Sequence, residues 1–398
     1  MRYALAPIRA RAARLLRRHR ALEGALVAGQ LAGVLASVVI ARAVGAEGRG
    51  VVTALVIWSQ LLGWAGAVAL DKAIVVLAQQ GDDPAGLLRA SRAVTAVMAV
   101  PVTLTGVVLG THLFPSERML SVLLAVTSLV TSQVELAGGW LLATQRRARF
   151  VAFRLAQPAA YAGGTALAFL ATNGEAGTRS VRAFAVAAAA SLWAPLLLGP
   201  RSNPRRSSGP LIRRVLGFGL AAQAASVMQF LNSRLDLLML SLMAPSRDVG
   251  VYAVGVAFGQ VAVFVGSAGA IRGLTGEAKG IDVRGAGVVA GAGVLLAASA
   301  PWAIPRVFGE SFGASVPVAQ VLALGSPVNY LLQLMSGRLL GRRQPLRLAL
   351  VQGAGAGVFL LGILISRVPT SVAVASVASY TVALLAAFRA VRRSPPRE

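Results

Sequence analysis

Residues 346–388 read LRLALVQGAGAGVFLLGILISRVPTSVAVASVASYTVALLAAF, and their only charged members are Arg347 and Arg367. A helix needs about 20 mostly apolar residues to cross the hydrocarbon core of a bilayer. The stretch therefore holds two crossings, over about 346–366 and 369–388, with a connector of two residues between them. Its apolar positions run on without alternating with polar ones, which excludes the period-two pattern of a membrane barrel strand.

Read outward from there, the chain shows ten more such runs. Six precede a polar stretch from Pro200 to Arg214, at about 22–44, 51–70, 92–113, 119–143, 151–171 and 181–199. Four more lie between that stretch and residue 346, at about 215–243, 249–271, 285–307 and 314–337. Composition agrees: the 398 residues are 56% hydrophobic and 13% charged, with a mean hydropathy of +0.70. A soluble domain has roughly 25% charged residues to cover its surface, whereas a chain solvated by lipid needs no such cover. The connections are short, which argues against an enzyme carrying a large extramembrane catalytic loop.

The net charge of +25 invites a nucleic-acid reading, but the basic residues form no single patch. They cluster between apolar runs, as topogenic charge does. Counted by alternate connections, one side receives 29 Arg and Lys and the other 8, while Lys72 and Arg234 fall within crossings. The richer side is expected to be cytoplasmic, with both termini there, in a plasma membrane. The run from Ala21 to Val44 is longer than a signal-peptide core, so it is expected to be retained, although Ala41-Arg42-Ala43 mimics a cleavage site. The chain contains no cysteine. His19 and His112 are not spaced as a metal pair, and no Walker loop occurs, so neither a metal nor a cofactor is expected. The run from Gly353 to Gly357 lies in an apolar segment and reads as a site of close helix packing.

The halves repeat. Gly50 follows the first crossing and Gly250 the seventh, at corresponding places. Six crossings per half give both halves the same orientation, with a path between them. The expected fold is an all-α membrane protein of about twelve transmembrane helices. They would form two six-helix lobes related by pseudo-two-fold symmetry around a central cavity. The lobes are expected over 22–205 and 206–390, between basic tails at 1–21 and 391–398.

Ionisable residues at membrane depth are costly and face a cavity or a partner. The seventh crossing is the most polar, with Gln223, Gln229, Asn232, Arg234 and Asp236. Arg234 lies near mid-membrane, as a cation for an anionic headgroup or as one half of an interhelical ion pair. Asp71 and Lys72 close the second crossing, where Lys72 reads as snorkelling to the interface. Glu135 is the acid well inside the fourth crossing, with Arg154 as its partner or as an interfacial charge. Asp236, Glu135 and Asp71 are the ion-coupling candidates. Arg234, Asn232, Gln229, Gln30, Asn329 and Gln333 are the substrate-binding candidates. Gln157, Gln260 and Gln352 read as hydrogen-bonding between helices.

Three stretches carry a family resemblance: Ile40 to Gly50, Asn232 to Asp236 followed by Val249 to Ala253, and Val307 to Phe312 followed by Asn329. In this order they resemble the polysaccharide flippases of the multidrug/oligosaccharidyl-lipid/polysaccharide exporter superfamily. The resemblance implies two lobes in a V and alternating access that moves a lipid-linked oligosaccharide outward without ATP hydrolysis. It implies H+ or Na+ as a coupling ion, and Arg234, less so Arg42, as the contact of a pyrophosphate. The expected function is export of an undecaprenyl-linked sugar unit in polysaccharide synthesis, with contacts to glycosyltransferases or a polymerase. A drug/cation antiporter of the same superfamily and a membrane glycosyltransferase or polymerase are the alternatives.

Overall fold

The computed structural model describes residues 2–175, 177–200, 209–274, 282–341 and 344–392. The side chains of 2–28, 30, 264–274 and a few single positions lie outside the description. So do the basic clusters at 201–206, 342–343 and 393–397, Lys279, and the expected lobe junction at 205/206.

Among the described residues every regular element is a helix. The helices are α1 (Arg2–Ala67), α2 (Leu70–Gln79), α3 (Pro84–Leu113), α4 (Arg118–Ala143), α5 (Arg147–Ala171), α6 (Thr178–Ser191) and α7 (Ala194–Leu198). There follow α8 (Gly209–Met243), α9 (Ser246–Leu274), α10 (Val283–Phe308), a 3-10 turn (Glu310–Ser315), α11 (Val316–Gly341), α12 (Pro345–Ile365) and α13 (Pro369–Arg392). Nine helical spans among the described residues are long and apolar enough to cross a membrane. One of them, Leu31–Ala67, is bent at Gly45 (φ 67°) and supplies two crossings. Helices α5 and α9, of 25 and 29 residues, complete twelve segments.

Three local features differ from the expectation. The expected tail 1–21 is helical from Arg2 onward, since its Arg, Ala and Leu residues are strong helix formers. The second crossing breaks at Val68 and Ala69, both at φ 48°, and resumes as α2. The sixth is interrupted between Ser191 and Ala194, before Pro195. Backbone irregularity at membrane depth persists only where it is buried in protein or faces a wet space. Ala67 and Ala69 do line a cavity.

The lobes meet most closely where the sequence repeats. A Cβ added to Gly50 would sit 1.7 Å from the Ser246 carbonyl oxygen, and one on Gly250 1.8 Å from the Ala46 carbonyl. The two glycines thus cross backbone to backbone. Beside them Ala41 and Ala46 pack against Val251, Val254, Ala300, Ile304, Phe308 and Phe312. Arg42 donates from Nε to the Val307 carbonyl at 2.8 Å, and its guanidinium also donates to that of Arg306. These are open carbonyls in the last turn of α10, whose partners the helix itself cannot supply.

At the opposite end α8 ties the lobes together. Its first half packs Leu211, Val215 and Phe218 onto Leu70, Leu77 and Leu87 of the first lobe. There Arg214 donates to Asp82 at 3.0 Å and to Gln80 at 3.1 Å. Its second half sits in the other lobe, with Phe230, Leu235 and Leu238 against Phe359, Ile363 and Val372.

The Gly250→Ala variant forces the two backbones apart and is expected to destabilise the protein by about 1–3 kcal/mol, seen as an earlier thermal melting midpoint in detergent. Gly163→Ala, where an added Cβ meets nothing within 4 Å, leaves that midpoint undiminished.

Candidate functional site

Two adjoining cavities lie between the lobes. The larger, of about 540 Å³, takes Trp64, Asp71, Lys72, Glu135 and Arg154 from the first lobe. The second lobe contributes Gln223, Arg234, Gln260, Asn329 and Gln333. The smaller, of about 490 Å³, is bounded by Ser37, Arg49, Thr53, Gln60, Gln157 and Tyr161 of the first lobe and by Ala253 and Ala257 of α9. Arg154, Arg234 and Gln260 line both and so stand at their junction.

Local structure explains these positions. The break at Val68–Ala69 sets Asp71 and Lys72 on a fresh helix start facing the cavity. Lys72 reaches across to the Ser226 hydroxyl of α8, so its ammonium does not snorkel to the interface as its sequence position suggested. Gln223 donates to the Trp64 carbonyl at 3.3 Å, and Trp64 packs against Phe230 with ring centroids 5.1 Å apart. These contacts also join the lobes.

Charge is distributed unequally. The larger cavity carries the acids Asp71 and Glu135 beside Lys72, Arg154 and Arg234. The smaller carries Arg49, Arg154 and Arg234 and no acid among its lining residues. The three ion pairs among the described residues, Arg89–Asp83, Arg182–Glu117 and Arg214–Asp82, all lie elsewhere. Arg154 rests 5.2 Å from the centroid of the Phe150 ring. The Arg49 Nε is buried without a hydrogen-bond partner among the described residues. A guanidinium in a low-dielectric space attracts an anion, and its fork matches a phosphate.

Not every expected site residue faces this space freely. Asn232 lines the larger cavity, yet its amide is engaged inside the second lobe: it donates to Gln352 and accepts from Ser379 at 2.9 Å. Gln352 in turn donates to Ser336 at 3.0 Å. Asp236 is buried away from the main cavities, where it accepts from Tyr252 at 2.7 Å and from Ser376 at 3.3 Å. It borders a void of about 20 Å³ shared with Gln260, Asn329 and Tyr380, room for roughly one water. Gln333 donates to Asn329 at 3.2 Å on the cavity wall. The side chains of Gln30 and Gln229 lie outside the described residues. Arg42, weighed as a headgroup contact at the rim, is occupied with the end of α10. Arg49 was missed because it follows a glycine turn and reads as a connection charge. Gln157 and Gln260 carried no signal separating a cavity wall from a helix contact.

No family model and no curated protein sequence matches the chain. Solved structures do match. One described as lipid II flippase MurJ in an inward closed conformation aligns with a TM-score of 0.70 at 11% identity, over 94% of this chain and 88% of that one. An inward-facing multidrug resistance MATE family transporter of the MOP superfamily aligns with a TM-score of 0.62 at 13% identity, over 92% and 94%. A MOP superfamily transporter from Pyrococcus furiosus, described as having a binding pocket whose reverse polarity suggests a different function, aligns at 0.53 and 13%, over 94% of each chain. The chain shares the fold of these solved structures. That is the fold implied by the three sequence stretches, and the pseudo-symmetric lobes and the cavity between them are its features.

In this fold Asn232 and Arg234 stand two residues apart with different surroundings. Asn232→Ala leaves Gln352 and Ser379 unsatisfied in the lobe interior and is expected to cost about 1–3 kcal/mol, measured as a lowered melting midpoint. Arg234→Ala removes a cavity-lining side chain that forms none of the three ion pairs among the described residues, though its charge acts on buried Asp236, and is expected to move the midpoint less than Asn232→Ala.

Proposed function

We propose that this protein carries a lipid-linked sugar headgroup with an anionic phosphate linkage across the plasma membrane by alternating access. The observation that carries the reading is the acid-free cavity ringed by Arg49, Arg154 and Arg234, opening onto a larger one lined by side-chain amides. A sugar-phosphate headgroup cannot enter hydrocarbon without losing its water. The guanidiniums replace that water at the phosphate. The amides of Gln223, Asn329 and Gln333, each donor and acceptor, replace it at hydroxyl groups. The lipid tail stays in the bilayer throughout. Of the solved structures that share the fold, the one called a lipid II flippase handles a lipid-linked headgroup by its name, which suits this assignment.

With both termini cytoplasmic, as the 29-to-8 bias of basic residues indicates, transport is outward. An inside-negative potential then favours export by about 2.3 kcal/mol per negative charge per 100 mV. In that orientation the Gly50–Gly250 crossing closes the outer side. Asp71 and Glu135 share the larger cavity and are the carboxylates placed to exchange H+ or Na+ during the cycle; buried Asp236 is a further candidate. The undecaprenyl carrier and the supply of substrate by membrane glycosyltransferases, with a polymerase downstream, belong to this proposal. The same two acids favour a second reading, a cation or drug antiporter, but three cations share their cavity.

Purified protein in proteoliposomes, given a fluorescent undecaprenyl-diphosphate sugar, is expected to move it to the opposite leaflet. Arg234→Ala and Arg154→Ala each slow that movement by at least about tenfold, the loss of one hydrogen-bonded charge contact. Unchanged flipping in both variants removes the headgroup assignment. Drug resistance conferred by overexpression, with no flipping, establishes the antiporter reading instead. If protons are coupled, Glu135→Gln or Asp71→Asn abolishes the response of the rate to an imposed pH gradient while uncoupled flipping persists.

A further inference from the structure

Three guanidiniums converge at the tail end of the first lobe, outside the central cavities. Arg149, in the first turn of α5, donates from Nε to the Leu198 carbonyl at 2.8 Å and from Nη2 to that of Gly199 at 3.2 Å. Arg92 of α3 donates to the Pro200 carbonyl at 3.2 Å. Arg146 stands exposed before α5, its guanidinium 5.3 Å from the centroid of the Trp140 ring. None of the three has a carboxylate partner among the described residues. In sequence, residues 201–208 hold three more arginines and no acid.

A groove opens at this cluster, lined by Trp140, Arg146, Arg149, Leu197 and Pro200. The Trp140 indole Nε1 is buried without a hydrogen-bond partner among the described residues, and α5 starts beside the groove with no side-chain cap on its first amides. Guanidiniums, a free helix start and apolar walls suit an anion attached to hydrocarbon. Leu197, 85% exposed, forms one wall. It gains nothing from a free ion in water but would be covered by an acyl chain. The excess positive charge disfavours a headgroup that carries its own cation.

We propose that this groove binds the phosphate of an anionic phospholipid of the leaflet facing the chain termini, with an acyl chain lying over Leu197. It is separate from the transport cavities and does not depend on what they carry. Bound there, the lipid neutralises the cluster that holds the ends of α4, α5 and α7 together.

Native mass spectrometry of the full-length protein, offered phosphatidylglycerol and phosphatidylcholine in equal amounts, tests this. Phosphatidylglycerol is expected to be retained preferentially. Arg146→Gln lowers its occupancy about fivefold, the effect of one basic residue at a membrane surface. Arg146→Lys restores most of it, and Arg389→Gln, the same charge change on α13, leaves it unaltered. Arg146 is exposed and its guanidinium rests on the Trp140 ring, so its replacement is expected to leave folding intact, which the melting midpoint verifies. Equal retention of the two lipids overturns the proposal, as does an equal effect of Arg389→Gln. Displacement by equimolar inorganic phosphate marks a free-anion site and overturns the lipid assignment.

Discussion

Inside hydrocarbon a backbone amide has no water to bond, so every N–H and C=O must be satisfied within the chain. That constraint explains the continuous helices, and it also explains where they stop. The break at Val68 and Ala69 places two L-residues in the left-handed region, at a cost of roughly 1–2 kcal/mol each, and it occurs where the second crossing meets the cavity. The carbonyl of Val68 meets the backbone of Gly219 on α8, where an added Cβ would come within 2.5 Å of it. The irregular backbone is thus enclosed by the helix that joins the lobes. Its consequence is chemical: α2 starts afresh and sets Asp71 and Lys72 facing inward.

The same scarcity of water governs the charges. Lys72, Arg154 and Arg234 share the central space with Asp71 and Glu135, yet none of the three ion pairs among the described residues lies there. Structural ion pairs occur at the periphery instead, where Arg214 and Asp82 hold α8 to the first lobe. The cavity arginines, held in none of these ion pairs, keep their guanidinium donors available to a ligand. The guanidinium of Arg42, by contrast, is committed to carbonyls of α10 and holds the lobes together at the glycine crossing.

Much of the charged lining of the larger cavity was legible in the sequence because an ionisable residue at membrane depth is rare and must have a reason. Arg234, Glu135 and Asp71 were visible that way and all line the larger cavity. Asn232 and Asp236 gave the same signal, but one helix presents different faces to the cavity and to its own lobe. A turn of about 100° per residue separates a cavity wall from a buried network. Arg49 was invisible because residues 46–50 read as a connection, whereas Gly45 alone makes the bend and the next residues are already helical. The basic cluster at 146–149 was legible only as topogenic charge. Its convergence with Arg92 on the carbonyls of Leu198, Gly199 and Pro200 depends on segments 49 to 108 residues apart in sequence.

What the sequence determined by itself was the helical membrane bundle, its approximate count of crossings, its repeat at Gly50 and Gly250 and the set of costly charges. Each follows from local composition, since a 20-residue apolar run has one stable state in lipid. Which charges share a cavity, which pair, and where two backbones touch were decided only by tertiary structure. The reason is geometric: those facts depend on the rotation of each helix about its axis, and packing between lobes fixes that rotation.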